Sequence, residues 1–510
     1  MSRKLRNIGI FSFFTIISRL LGFVRVILFT LFFGTSEMFE AFLAAFQIPN
    51  FFRMTFGEGA LNGAVVPIYT EVRLKRGDEE AHRLASSVIL SLSFLFLIMT
   101  LIVLIFTPQV TYLFLPGFAK TPLKFWMSVL LLKIMFPYLI FIGLAAVTMA
   151  FLNSTGKFAV SAFSPCLLNL VFIVYIFCFL PEINDPVLKL TLLGLTALIG
   201  GALQFFLQQW WFKRIGFRFT PVLWHPELAR ILKLFLPTAL IYGASQINLM
   251  VSRMIASFLP SGSISYLYFA NHLLQLPMGV FSVAIVSVSL PMLSEATAGK
   301  RDEAVAANIQ SSLLLNYFLM VPLAILIYLQ AAPMVQFVFE RGKFSHLDTL
   351  NTAWALKYYA VGLFFFSINR LLESVFYAFR DPKTPLKVAI CTIIMNIGLN
   401  LLLVKPFLHA GLAMGNSLAA IFQSFALVYG LSRHVPLRKV FTEALNLGIW
   451  KITLMNLLLV LVIYALDSIF AGAGVYFKLT AIIGISAILY LAAGYFLGVT
   501  EILRRSLRES

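Results

Sequence analysis

The sequence predicts an all-α polytopic membrane protein with about fourteen transmembrane helices, arranged as two parallel six-helix repeats plus two extra C-terminal helices. Three observations carry this. Hydrophobic residues make up 60% of the 510 positions, charged residues only 12%, and the mean hydropathy is +0.92. A soluble domain carries about a quarter charged residues, so this chain has too little polar surface to face water. Apolar stretches of roughly 20 residues, enough to cross about 30 Å of hydrocarbon, recur along the whole chain. A short residue pattern also returns 224 positions after its first appearance, as Pro67, Glu71, Asp78, Glu79 and then Pro291, Glu295, Asp302, Glu303.

Taken in order, the first six spans are read at 7–33, 38–70, 84–108, 123–152, 157–180 and 187–212. The next six lie at 229–259, 262–294, 305–331, 346–379, 384–408 and 410–432, and two more at 446–469 and 476–502. The first is too long for a signal-peptide core, contains two arginines and lacks a small-residue cleavage site, so it is expected to be retained. Pro49 is expected to kink the second. Residues 1–212 form the predicted N-terminal lobe, and 213–228, with Trp224, His225 and Pro226, a cytoplasmic linker. Residues 229–434 form the C-terminal lobe; 435–510 hold the two extra helices, read as a groove for a lipid tail, and a cytoplasmic tail.

With the N-terminus inside, the cytoplasmic loops and ends hold 22 Lys and Arg and the opposite loops 7. Such a bias follows the positive-inside rule and sets both termini in the cytoplasm. It also gives the net charge of +18 a topological origin without a nucleic-acid partner. Cys166, Cys178 and Cys391 lie inside apolar runs, in no disulfide or metal-ligand spacing.

Ten basic residues remain within or at the edges of spans. Arg230, Lys233 and Lys451 are near span ends and snorkel to the interface. Arg19, Arg25 and Arg53 lie deeper, and would together cost on the order of 8–10 kcal/mol facing lipid. They are therefore expected to face a hydrated cavity or an anion. In the first half Arg19, Arg25, Arg53 and Lys133 outnumber Glu40 and Glu58. In the second, Arg253, Lys357 and Arg370 oppose Glu373, with His272 as a switchable charge. Gly22 is read as allowing close backbone approach between Arg19 and Arg25, and Gly57 and Gly59 as making the stretch beside Glu58 adaptable.

Surplus guanidinium groups in a pocket of low dielectric suit a phosphate, which they grip two oxygens at a time. A lipid-linked phosphate accounts for both the cavity and the extra pair of spans, which a small inorganic anion would not need. A membrane transferase would require an acid/base or metal constellation, for which His346 with Asp348 is the best candidate. A multidrug exporter for cationic drugs would favour charge of the opposite sign.

Specific motifs narrow this. Ser18-Arg19-Leu20-Leu21-Gly22-Phe23-Val24-Arg25, Ala45-Phe46-Gln47-Ile48-Pro49-Asn50-Phe51-Phe52-Arg53, Glu58-Gly59-Ala60 and Val66-Pro67 resemble the N-terminal signature of the MurJ (MviN) lipid II flippases. That family belongs to the multidrug/oligosaccharidyl-lipid/polysaccharide exporter superfamily. The likeness continues through Ser261-Gly262-Ser263, Leu276-Pro277-Met278-Gly279-Val280, Phe339-Glu340-Arg341-Gly342-Lys343-Phe344 and Asp381-Pro382-Lys383-Thr384-Pro385. The resemblance implies a flippase, not an enzyme, in the bacterial inner membrane. Its cargo would be undecaprenyl-diphosphate-linked peptidoglycan precursor, with another polyprenyl-linked oligosaccharide as the alternative. Membrane lipids and other cell-wall synthesis proteins would be its neighbours.

By that resemblance Arg19, Arg25 and Arg53 are cavity arginines, and Glu40 and Glu58 the acidic positions. Two positions depart from the family pattern. Val26 stands where many members have an acidic residue, and His272 where a fourth arginine is expected. Either His272 acts in a pH-dependent way or Arg253 or Arg370 substitutes. No cofactor is implied. Coupling to the membrane potential or to a cation is left open, and the cation-site candidates, Asn248, Asn396 and Asn400, lack a carboxylate.

Overall fold

The computed structural model describes residues 3–55, 59–299, 302–441 and 443–503. Every regular element among them is helical. The first half contains α1 (Arg3–Phe33), α2 (Glu37–Arg53), α3 (Gly59–Arg76), α4 (Asp78–Ile105), α5 (Thr107–Phe114), α6 (Pro122–Met135), α7 (Tyr138–Ser154), α8 (Phe158–Val174) and α9 (Pro186–Arg214). There follow α10 (Pro226–Ala256), α11 (Ser263–Pro277), α12 (Val283–Ala298), α13 (Asp302–Leu329), α14 (Ala331–Phe339) and α15 (His346–Ala378). The chain closes with α16 (Lys383–Leu431), α17 (Leu437–Val440), α18 (Glu443–Ile469) and α19 (Val475–Phe496).

Local chemistry explains the ends. Gly34, at φ +57°, stops α1, and the Ser36 side chain accepts from the Phe39 amide to start α2. α2 continues through Pro49 to Arg53, and α3 begins at Gly59, both overlapping the predicted 38–70 span. Pro137 lacks an amide hydrogen, and the predicted 123–152 span divides there into α6 and α7, bent by 42°. Asp185 caps α9, with Pro186 in its first turn. Leu408, at φ 49° and ψ −131°, breaks α16 into two arms, between the predicted spans 384–408 and 410–432.

Among the described residues, ten segments are long and apolar enough to cross a membrane, or eleven with the bent α6–α7 pair. That is fewer than fourteen, partly because α16 enters once although it is kinked, and α2 has only 17 residues.

By contacts the chain forms two compact units: Met1–Ile264 with Arg341–Lys343, and Ser265–Glu340 with Phe344–Ser510. In the first, α1 and α8, α7 and α9, α8 and α9, and α2 and α6 pack together, and α10 lies along α3. Its centre is aromatic: Phe29, Phe33, Phe39, Phe42, Phe46 and Phe172 form a continuous stack joining α1, α2 and α8. Arg341–Lys343 belong here because the Lys343 amide donates to the Leu31 carbonyl at 3.0 Å, against α1's last turn. In the second unit α13, α15 and α16 enclose a core that includes Ile309, Leu372, Val375, Phe376 and Leu427. Leu314, Phe318, Ile452, Met455, Ile482 and Tyr490 seat α18 and α19 on α13.

Candidate functional site

Arg25 is the best defined of the deep cations. It extends from α1 into the aromatic stack, its guanidinium carbon 5.7 Å from the Phe29 ring centre and 5.4 Å from that of Phe172. Its Nε is buried and has no hydrogen-bond partner among the described residues. The rings hold the charge in place but cannot accept its N–H groups in the plane of the fork, so a donor is left for an external acceptor.

Arg19, six residues earlier on α1, is exposed. Beside it the Asn169 amide of α8 donates to the Ser18 carbonyl at 3.1 Å. A Cβ on Gly22 would meet the Asn169 side chain at 3.7 Å, ordinary contact, so this crossing does not require glycine, contrary to the sequence expectation. Arg53, half-buried at the end of α2, donates from Nε to Asn50 Oδ1 at 3.0 Å; Asn50 in turn donates to the Phe46 carbonyl at 3.0 Å. Lys133 is exposed on α6.

Glu40 is committed elsewhere. Its side chain is 1% exposed and forms a buried ion pair with Lys124, itself 5% exposed. Its other oxygen accepts from the Ile264 amide at 2.7 Å. The structure thus gives Glu40 a clamp between α2, α6 and the entry to α11. The sequence counted Lys124 as a loop charge, and no local periodicity links positions 84 residues apart. Glu58 and Gly57 lie outside the described residues. Arg253, on α10 in the first unit, donates from Nη1 to the Leu43 carbonyl at 2.9 Å.

His272 and Arg370 belong to the second unit. Nδ1 of His272 lies 3.0 Å from the Tyr268 carbonyl, and since a carbonyl only accepts, that nitrogen carries a proton. Arg370 is exposed on α15. Asn400 donates to Asn396 Oδ1 at 2.7 Å, and Asn396 to Asn416 Oδ1 at 2.7 Å, within α16. Of the three candidates, Asn396 thus has its amide oxygen engaged by Asn400. Asn248 lies on α10, in the first unit. No group of three or more His, Cys, Asp or Glu side chains able to hold a metal ion occurs among the described residues.

His346 and Asp348 do not form a catalytic pair. Asp348 closes the capping box of α15 with Ser345 and accepts from the Tyr266 hydroxyl at 3.2 Å, while His346 faces Glu340 at 3.2 Å. The transferase reading loses its candidate. An apolar groove of about 390 Å³ lies between α8 and α9, lined by Leu167, Leu170, Val171, Val174, Leu192 and Leu195.

Known proteins share this architecture. The family model described as lipid II flippase MurJ matches residues 29–484. A probable lipid II flippase MurJ of Haemophilus influenzae is 34% identical over 434 residues, 82% of this chain and 84% of that protein. The lipid II flippase MurJ of Burkholderia cenocepacia is 30% identical over 428 residues, 83% of this chain and 82% of that protein. A solved structure of lipid II flippase MurJ, in an inward closed conformation, aligns with a TM-score of 0.81 at 28% identity, covering 96% of this chain and 99% of that one. An inward-facing multidrug resistance transporter of the MATE family, at 16% identity, covering 82% of this chain and 95% of that one, shares the fold with a TM-score of 0.65.

Proposed function

The chain belongs to the lipid II flippase MurJ family, and from that premise we propose that it carries lipid II from the inner to the outer leaflet of the bacterial cytoplasmic membrane for peptidoglycan synthesis. Relocation of an intact lipid, without chemical conversion, is its activity. Arg19, Arg25 and Arg53 hold the diphosphate while the prenyl tail stays in the bilayer, and alternating access delivers the head group outside.

The single observation behind this is Arg25: a guanidinium embedded in rings, with a buried Nε–H and no acceptor among the described residues. A diphosphate supplies that acceptor. The excess of 22 Lys and Arg over 7 across the loops supports an inner-membrane orientation with both termini cytoplasmic. The organisation as two six-helix repeats is proposed on the same sequence grounds. The tail is proposed to run along α18 and α19, whose outward faces carry the exposed Leu457, Leu461 and Phe496. Arg253, His272 and Arg370 are proposed to add to the head-group site, Glu58 to balance it, and neighbouring cell-wall enzymes to supply and consume the cargo.

The test is head-group accessibility of lipid II across reconstituted vesicles. Arg25→Ala is expected to abolish movement while the folded yield stays near wild type; Arg25→Lys, which keeps the charge and loses the planar fork, should recover only part of it. Normal movement by well-inserted Ala variants at 19, 25 and 53 would overturn the reading. Competition with other polyprenyl-diphosphate glycans separates the two cargo classes.

A further inference from the structure

The second unit holds a carboxylate inside a membrane-crossing helix. Glu373 lies on α15, half-buried, five residues before the helix ends at Ala378. Its Oε1 accepts from Nε2 of Gln423, on the returning arm of α16, at 3.0 Å. Behind Gln423 stands an ordered series of donors. Ser424 donates its hydroxyl to Asn369 Oδ1 at 2.7 Å. Asn369 donates to Gln423 Oε1 at 3.3 Å and to the Ala420 carbonyl at 2.9 Å. Each amide thus accepts with its oxygen and gives with its nitrogen, so the polarity of the chain is fixed and every link from Ser424 onward points toward Glu373.

No cation forms an ion pair with Glu373 among the described residues. Arg370, three residues earlier on α15, is the charge that acts on it. Of the elements packed on α15, α16 faces Glu373 with the neutral Gln423. From α12, α13 and α14 no charged side chain among the described residues bears on it. A carboxylate in a membrane helix without a counter-ion in contact is expensive, and such groups are kept for function. Its surroundings select the ligand. A metal cation needs several oxygens, but Gln423 turns its N–H and not its oxygen to Glu373, and each amide oxygen of the chain already accepts a hydrogen bond. A proton needs only the carboxylate itself.

We infer that Glu373 is a proton-binding site through which a pH gradient acts on transport, ionised where water reaches it and protonated where it is carried into apolar surroundings. Gln423 and Asn369 are positioning residues that orient the carboxylate. The inference rests on the flippase reading and adds the ion that couples to it.

Two measurements test it. Infrared difference spectra of the purified protein titrated with acid should show a protonated-carboxyl band that disappears in Glu373→Gln, an isosteric and uncharged variant. In Gln423→Met, which keeps the carboxyl and removes its donor, the band should persist and appear at a different pH. In vesicles with the voltage clamped, lipid II movement by wild type should respond to an imposed pH gradient, and Glu373→Gln should lose that response. A titrating band unchanged in Glu373→Gln overturns the inference, whichever way transport behaves. Lipid II movement whose gradient response survives Glu373→Gln sinks the proton site and leaves the flippase reading intact. No lipid II movement by wild type under any gradient sinks both.

Discussion

Lys124→Met tests whether Glu40 is a clamp or part of the cargo site. The substitution keeps the length and apolar stem of Lys124 and removes the charge beside a carboxylate that is 1% exposed. Breaking a buried pair by removing one partner costs about 3–5 kcal/mol, because the remaining charge is left without compensation. Glu40 keeps the Ile264 amide donor at 2.7 Å, so the lower end, about 3 kcal/mol, is expected. Glu40→Gln in the same background removes the stranded charge and retains an acceptor for that amide. The double variant should therefore lie within about 1 kcal/mol of wild type, since replacing both members of a buried pair is often close to neutral. The coupling between the two positions is then about 2 kcal/mol or more, near thirtyfold in an equilibrium constant. Unfolding in detergent, run as a double-mutant cycle, measures it. If Lys124→Met unfolds within about 0.5 kcal/mol of wild type, or the single effects simply add in the double, the clamp does not exist. Transport by the double variant then separates roles: recovered movement marks Glu40 as a clamp alone.

Further outcomes follow from two loops. Gly342→Ala should destabilise the protein by about 1–3 kcal/mol, visible as a lower apparent Tm: Gly342 sits at φ +58°, and a Cβ would overlap the Leu31 carbonyl. Asp381, before α16, accepts from the Thr384 hydroxyl at 2.6 Å and lies 3.0 Å from His434 Nε2. The Thr384 hydroxyl first, and then His434, hold its carboxyl at about 2, against an ordinary value of 3.8. A depressed value means that this stabilisation is complete above about pH 5 and is lost as pH falls from about 4 through 2. Asp381→Asn should therefore lose about 1 kcal/mol at neutral pH, less than the full displacement converts to because water reaches the group, and the gap to wild type should close in acid. A gap that stays constant down to pH 2 would contradict this assignment.

The membrane class and most helix positions were legible because lipid acts on composition directly: a segment either is apolar over its length or does not cross. A breakpoint was legible at the 408/410 boundary beside Pro406, whereas the bend at Pro137 was not, because 123–152 reads as one apolar span. Pro49 lies inside α2, which continues through it to Arg53. Arg25 stood out in the sequence because a guanidinium in an apolar run is costly anywhere. Its aromatic bed did not, because Phe172 reaches it from a helix about 150 positions away. The partner of Glu40 was hidden for the same reason: its charge was visible and Lys124 was remote. The Ser424–Asn369–Gln423–Glu373 series was equally hidden, because polar residues scattered on two helices acquire direction only when the helices pack.

The contrast between Arg25 and Glu40 explains how one unit can hold both a rigid clamp and a usable site. Both charges lie within the first unit's packed helices. Glu40 is met by a full counter-charge and a backbone amide, so its hydrogen-bonding capacity is spent within the protein. Arg25 is met by ring faces, worth about 0.5–2 kcal/mol, which fix its position while consuming none of its N–H donors. An anion arriving at Arg25 therefore displaces no ionic partner and gains its contacts almost in full. Had Arg25 been paired as Glu40 is, binding would first have to break that pair, at about 3–5 kcal/mol.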